Sequence, residues 1–239
     1  MSSSDRGSPF TGPHLSHSQI EKYLLCPEQY RLYYVEGLRP KLVPASLIFG
    51  KLIHQSLARF FRSGESPATW FHQEWADVKD LPMAYSSRES WEKLSLMGES
   101  LLATFVTEDA PRLKNIRKVE HPFTLTISEL DLPLVGVIDL VADLDGKPTV
   151  VDFKTSGSGY DGHEAPMSDQ LTAYRLAEPA VPQAALCVLV KLKEPRIEWQ
   201  RDRAVRRAAD RVPRESGARC PGDWRQPLLQ TSREVVFVV

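Results

Sequence analysis

Cysteine is scarce in this chain: Cys26, Cys187 and Cys220 stand far apart, odd in number and without a CxxC pair. That pattern argues against a disulfide framework or a zinc ribbon, and a reducing cytoplasm is the compartment that fits. Long apolar runs are missing as well. None approaches the roughly 20 residues that a membrane-crossing helix needs, so a membrane protein is not expected. The opening stretch MSSSDRGSPFTGPH lacks the apolar segment of a secretory signal and reads as a disordered tail over residues 1–14. No repeat of solenoid length is visible. Net charge is close to absent at -1, so any attraction to a polyanion must come from a local patch.

What is present is the composition of an ordinary globular domain, with 42% hydrophobic and 26% charged residues in 239. That length fits one sizeable core, or one domain with an appended helical part. One basic stretch stands out: from Lys191 to Arg219 there are ten Lys or Arg against five Asp or Glu. Taken alone, such a run is more often a solvated helix face than a nucleic-acid contact.

The first half reads as helical. LSHSQIEKYLLCPEQYRLYYVEGL, residues 15–38, suggests two short amphipathic helices, the first capped by Ser16 or Ser18 and the second beginning after Cys26-Pro27. FGKLIHQSLARFFRSG, residues 49–64, has apolar residues at helical spacing, with His54 beside the stripe and Ser63-Gly64 as a stop. Further helices are expected over 65–115, most clearly 91–106. The period then changes to two. Segments 119–127, 134–143 and 149–155 read as three strands in an antiparallel meander, followed by a short helix over 168–177 and a buried strand over 184–192 that takes Cys187 into the core.

Within the third strand, VVDFKTS puts two charges where a buried strand should be apolar. Alternation sends Val150, Asp152 and Lys154 to one face and Val151, Phe153 and Thr155 to the other. Asp145-Gly146 is a favoured two-residue hairpin turn, and the register it sets places Asp139 opposite Asp152, with Cβ atoms about 4.5–5.5 Å apart. Two like charges so placed need compensation, which Lys154 supplies in part. A hard divalent cation suits the remainder, because Mg2+ takes one or two carboxylates and leaves room for water and phosphate oxygens. The plainer alternative is an Asp-Lys ion pair in a strand, with Asp139 a solvated turn residue. Spacing alone does not choose between them.

Several short motifs occur together in one order: SHSQIEKYLLCPEQY, a helical G-x-x-x-H from Gly50 to His54, GVID ending at Asp139, DFK from Asp152 to Lys154, and Q-x-x-x-Y from Gln170 to Tyr174. In this ordered set the sequence resembles the PD-(D/E)XK nuclease superfamily, in particular the RecB-type nuclease domains and the related CRISPR adaptation nucleases. The likeness spans residues 16–177, and each piece is common by itself. It implies an α/β, restriction-endonuclease-like core over about 15–200: a central mixed sheet over about 116–200, flanked by helices, with an N-terminal helical part over about 15–115.

Position by position, the resemblance implies that His54, Asp139, Asp152 and the Phe153 carbonyl hold Mg2+ or Mn2+, and that Lys154 orients the attacking water. It further implies that Gln170 and Tyr174 steady the site and contact the DNA backbone, although both also suit plain helix packing. Glu120 is a weaker candidate that could reach the cluster from a neighbouring strand. The implied activity is phosphodiester hydrolysis in single-stranded DNA or duplex ends, exonucleolytic by preference, in DNA repair, recombination or phage- and CRISPR-related processing. Protein partners are not indicated. The rival class is a non-catalytic DNA-binding or partner-docking module that keeps the fold, and an enzyme acting on RNA or a small phosphate ester would use the same site.

One departure is clear. Relatives that carry an iron-sulfur cluster use one N-terminal and three C-terminal cysteines, whereas this chain offers Cys26 and only Cys220 in the distal region, so no cluster is expected. Residues 201–239 turn abruptly to Arg, Pro and Ala and are left unassigned. They read either as a divergent basic helix or as a non-native tail.

Overall fold

The computed structural model describes residues 9–128, 130–159 and 168–202. Residues 1–8 of the tail and the Arg-rich segment 203–239, Cys220 included, lie outside the described residues. The backbone divides into two compact units, whose described residues are 9–39 with 126–135 apart from residue 129, and 40–202 without 126–135 and 160–167.

In the smaller unit a two-residue strand, β1 (Leu15–Ser16), leads into α1 (His17–Leu25) and α2 (Pro27–Tyr30), which continues in one wide π-helical turn over Arg31–Val35. Ser16 starts α1 with a reciprocal cap: its Oγ accepts from Gln19 N at 3.3 Å, and Gln19 Oε1 accepts from Ser16 N at 2.7 Å. Extended backbone at Cys26 ends α1, and Pro27 opens α2 where its missing N–H costs nothing. The two helices and the break between them are therefore those read from sequence. Their expected amphipathic burial is not found in α1, which buries only Gln19 and leaves Leu24 and Leu25 72% and 78% exposed.

The larger unit begins with β2 (Val43–Pro44), then α3 (Ala45–Ser63), α4 (Pro67–Asp77), β3 (Met83–Ala84) and α5 (Trp91–Thr104). Single turns over Phe105–Asp109 and Ala110–Arg112 lead into β4 (Leu113–Leu125), β5 (Leu134–Leu144) and β6 (Lys147–Ser156); α6 (Asp169–Ala177), β7 (Gln183–Val190) and β8 (Arg196–Asp202) follow. Gly64 ends α3 in the left-handed conformation, at φ 75°.

The strands run in the order β5-β6-β7-β8, with β4 on β5. β5 and β6 are antiparallel, β6 and β7 parallel, and β7 and β8 antiparallel, so the sheet is mixed. Within the smaller unit, β1 pairs in parallel with Leu134 and Val135, the first residues of β5. The turn at Asp145-Gly146 has positive φ at both residues, 50° and 78°, as a type I′ hairpin requires. It sets Leu144 against Lys147 and Leu140 against Val151, the register read from sequence.

Each face of the sheet carries its own apolar core. On one, Phe49, Ile53 and Leu57 of α3, Phe71 and Trp75 of α4 and Leu101 of α5 cover Leu140, Val151, Phe153 and Cys187. On the other, Leu171 and Tyr174 of α6 cover Ile138, Val150, Leu186 and Val188. This is the α/β arrangement expected, a mixed sheet flanked by helices, and Cys187 is fully buried in it. β4 begins six residues earlier than read. β8 lacks the sequence signature of a strand, because its charged residues Arg196, Glu198 and Arg201 dilute the alternation through which Ile197 and Trp199 reach the core. No helix among the described residues is long and apolar enough to cross a membrane.

Candidate active site

The site is built at the end of the β5-β6 hairpin away from its turn, where helices from both faces of the sheet arrive. On β6 the pleat sends Val151 and Phe153 to the α3 side and Val150 to the α6 side. Asp152, between them, is 1% exposed. Its Oδ2 lies 2.9 Å from Lys154 Nζ, two residues along the same side, as the alternation requires. The contact is an ion pair out of hydrogen-bond alignment, so Oδ2 is a buried carboxylate oxygen without an aligned donor among the described residues.

Asp139 is held differently. Regular pairing of the hairpin stops at Leu140 and Val151, and the carboxylate of Asp139 continues it by accepting the Phe153 main-chain N–H on Oδ2 at 2.8 Å. Its other oxygen, Oδ1, stands 3.4 Å from Nδ1 of His54. His54 reaches that point because α3 passes close over β6 one turn earlier, at Gly50. A Cβ there would lie 3.2 Å from Thr155 Oγ1, tighter than nearly all ordinary contacts. The glycine and the histidine of the G-x-x-x-H pattern thus have separate tasks, one allowing approach and the other facing the carboxylate.

From the opposite face, α6 presents Gln170 and Tyr174, four apart and so on one side of the helix. Ser168 caps α6 by accepting from Leu171 N at 3.2 Å. Lys154 Nζ donates to Gln170 Oε1 at 2.6 Å, and Gln170 Nε2 donates to the Tyr174 hydroxyl at 2.8 Å. That hydroxyl also lies 2.8 Å from the Val137 carbonyl and 3.3 Å from Asp152 Oδ1. Asp152, Lys154, Gln170 and Tyr174 therefore close a ring of polar contacts.

The two acids are unlike electrostatically. Burial works against the charge on Asp139, but His54, the Phe153 amide and Lys154 together hold its carboxyl below the ordinary range. Burial, with the charge of Asp139 added, pushes Asp152 up in spite of Lys154. His54 is raised: Asp139 and Asp152 outweigh its burial and the repulsion of Lys154. Burial next to the acids drives the Tyr174 phenol well above its usual value, so that it serves as a neutral hydrogen-bonding group.

The structure thus brings together His54, Asp139, Asp152, Phe153, Lys154, Gln170 and Tyr174. It does not bring Glu120 to them: Glu120, in the left-handed conformation at φ 45°, has its carboxylate 3.1 Å from Arg62 of α3. Two participants were invisible in the sequence, the Val137 carbonyl and Thr155, because neither a main-chain acceptor nor a close approach leaves a residue-type signature. The described part of the basic stretch is largely ion-paired, Lys191 with Glu89, Arg196 with Glu198 and Arg201 with Asp145.

Among the described residues no three His, Cys, Asp or Glu side chains form a ready cation cage. Instead, Asp139 is met by His54 and Asp152 by Lys154. The donor chemistry nevertheless suits a hard divalent ion, which takes carboxylate and carbonyl oxygens. Two carboxylates, one with an oxygen lacking an aligned donor, stand beside a histidine, and the Phe153 main chain adjoins Asp139 through its N–H.

The family described as the PD-(D/E)XK nuclease superfamily matches residues 14–234. Among solved structures, a protein of Eubacterium rectale described as a "putative exonuclease" superposes with a TM-score of 0.53 at 12% identity, over 79% of this chain and 72% of that one. Another, described as SSO0001, reaches a TM-score of only 0.28 at 14% identity, over 76% of each chain. No curated protein matches the chain in sequence.

Proposed function

The chain belongs to the PD-(D/E)XK nuclease superfamily, and we propose that it is a metal-dependent deoxyribonuclease that hydrolyses phosphodiester bonds, with exonuclease action as the preferred mode. The observation that carries this reading is the Asp152-Lys154-Gln170 chain lying against the Asp139-His54 pair. Asp139, Asp152, His54 and the Phe153 carbonyl would hold Mg2+ or Mn2+. Bound there, such an ion supplies Lewis acidity toward a phosphodiester oxygen and makes water a stronger nucleophile.

The side chains supply the rest. Asp139, kept ionised, offers a negative charge already in place before substrate arrives. Lys154 is one-third exposed, enough to present an ammonium to the attacking water or to a phosphate oxygen. Gln170, accepting from Lys154 and donating to Tyr174, aims that ammonium. Burial of Asp152 and Tyr174 keeps solvent away from the inner side of the cluster, where each electrostatic contact is correspondingly stronger.

The rival reading, a binding module with a relic site, draws on the two acids being already met by His54 and Lys154. Linear and circular DNA incubated with Mg2+ or Mn2+, with and without chelator, separate the two. Metal-dependent loss of linear DNA with circular DNA spared supports an exonuclease, and cutting of both supports an internal nuclease. Retention of intact DNA in every condition, weakening as salt rises, would leave only the binding module.

A further inference from the structure

We propose that Phe123 of β4 is a positioning residue for this site, acting through Tyr174; the inference rests on the nuclease reading and adds to it a residue that none of the motifs contains. Phe123 lies over β5 at Gly136, the glycine of the GVID segment. A Cβ at Gly136 would come within 2.7 Å of two atoms of the Phe123 ring, so glycine is what admits the ring there. From that seat the ring meets Tyr174 edge to face, with centroids 5.7 Å apart at 85°.

Tyr174 is 3% exposed, and its hydroxyl is the meeting point of three groups: the Val137 carbonyl, Gln170 Nε2 and Asp152 Oδ1. A phenol has one proton. The Val137 carbonyl is an acceptor only, and Gln170 Nε2 is a donor only, so the hydroxyl gives its proton to an acceptor and receives from Gln170. That assignment fixes which end of the Gln170 amide faces Lys154: the oxygen, at 2.6 Å. A Tyr174 ring free to slide would release Gln170, and Gln170 would release Lys154. Gly136 and Phe123 therefore set, at two removes, the direction of the ammonium. The G of G-x-x-D has this task in addition to any at Asp139.

A purely structural Phe123 would only fill the second core, in which it is partly buried. The two roles separate in a cycle of variants: Phe123→Ala, Phe123→Leu, Gly136→Ala, Tyr174→Phe and the double variant Phe123→Ala/Tyr174→Phe. Single-turnover cleavage in Mg2+ is measured alongside DNA affinity without metal. Phe123→Ala and Gly136→Ala should each lower the cleavage rate on the order of tenfold at unchanged affinity, with Phe123→Leu recovering most of the rate. In the Tyr174→Phe background, which keeps the ring and removes the hydroxyl, Phe123→Ala should add less than about twofold. An equal loss in both backgrounds, or a loss of affinity in place of rate, overturns the proposal.

A second measurement needs no activity. In the wild-type chain the Gln170 side-chain amide should show slow hydrogen exchange by 1H-15N NMR, and Phe123→Ala and Gly136→Ala should both speed it and move the resonance. An amide indifferent to both substitutions overturns the relay. A wild-type chain inert on DNA would sink the nuclease reading, and the Gln170 amide would still decide this one.

Discussion

Asp139 accepts the main-chain amide of Phe153 at 2.8 Å. A carboxylate that the nuclease reading assigns to a metal thus also completes the pairing of β5 with β6. Charge and acceptor are two properties of one side chain, and substitution can separate them.

Asp139→Asn retains an oxygen for the Phe153 N–H and removes the charge. It should lower thermal stability less than Asp139→Ala does, through loss of the charge that faces His54, while lowering Mg2+-dependent cleavage by about 100-fold or more. Asp139→Ala removes both, stranding a buried N–H at a cost of about 1–3 kcal/mol. Parallel melting curves and cleavage assays check the pair. Equal activity in Asp139→Asn and wild type would show that the charge is not used.

Lys154 is the cation nearest to an acid that is 1% exposed. Lys154→Met should remove cleavage and also destabilise the fold by about 1–3 kcal/mol, less than for a fully buried pair because Lys154 itself is partly solvated. Adding Asp152→Asn removes the stranded charge and should recover most of that stability with no recovery of activity. Urea denaturation of the three variants measures this. A double variant less stable than Lys154→Met alone would mean that Asp152 is stabilised by groups other than Lys154.

Much of this site was legible in the sequence because its parts are local. Asp145-Gly146 can adopt positive φ at both positions, so the hairpin register, and with it the approach of Asp139 to β6, followed from two residues. Strand alternation likewise put Lys154 beside Asp152. What was not legible is tertiary. The ladder ends at Leu140, and a side chain takes over from the main chain at Asp139, which no periodicity announces. The seat of Phe123 on Gly136 joins two strands whose sequences carry no mark of one another. β8 escaped because edge strands tolerate charge, and its Arg201 and Asp202 serve ion pairs with Asp145 and Arg175 instead of a hydrophobic pattern.

The hairpin turn itself should be acid-sensitive. A hydrogen bond from Arg112 lowers the Asp145 carboxyl to about 2 from an ordinary value of 3.8; burial opposes it, and a further hydrogen bond from Arg201 adds to the lowering. A depressed acid stabilises the fold fully above its unfolded value. That stabilisation is lost as pH falls from about 4 toward 2. Asp145→Asn keeps a residue at ease with positive φ and removes the titration. Unfolding free energy measured against pH should therefore fall less steeply between about pH 4 and pH 2 in the variant, by under about 1 kcal/mol since Asp145 is partly exposed. Superimposable profiles would show that Arg112 and Arg201 do not hold this charge.

The helical cover of the first core makes a demand of its own at Gly98 of α5. A Cβ placed there would lie 2.2–2.9 Å from three atoms of the Phe71 ring. That ring has no room to retreat, because it stacks on Trp75 at 5.7 Å and meets Phe49 edge to face at 5.5 Å. Gly98→Ala gains up to about 1 kcal/mol of helix propensity, but overpacking costs about 1–3 kcal/mol. The clash should win, because all three rings are fully buried and cannot move separately. A fall in Tm of a few degrees is expected, at roughly 2–4 °C per kcal/mol for a chain of this size. Adding Phe71→Leu opens space for the methyl and should return part of the loss, although Phe71→Leu alone is destabilising. Such a sign change between the two backgrounds is what steric conflict produces and propensity does not. A Tm that rises in Gly98→Ala would mean that α4 and α5 can separate without cost, and the tight packing of these helices over the sheet would have to be abandoned.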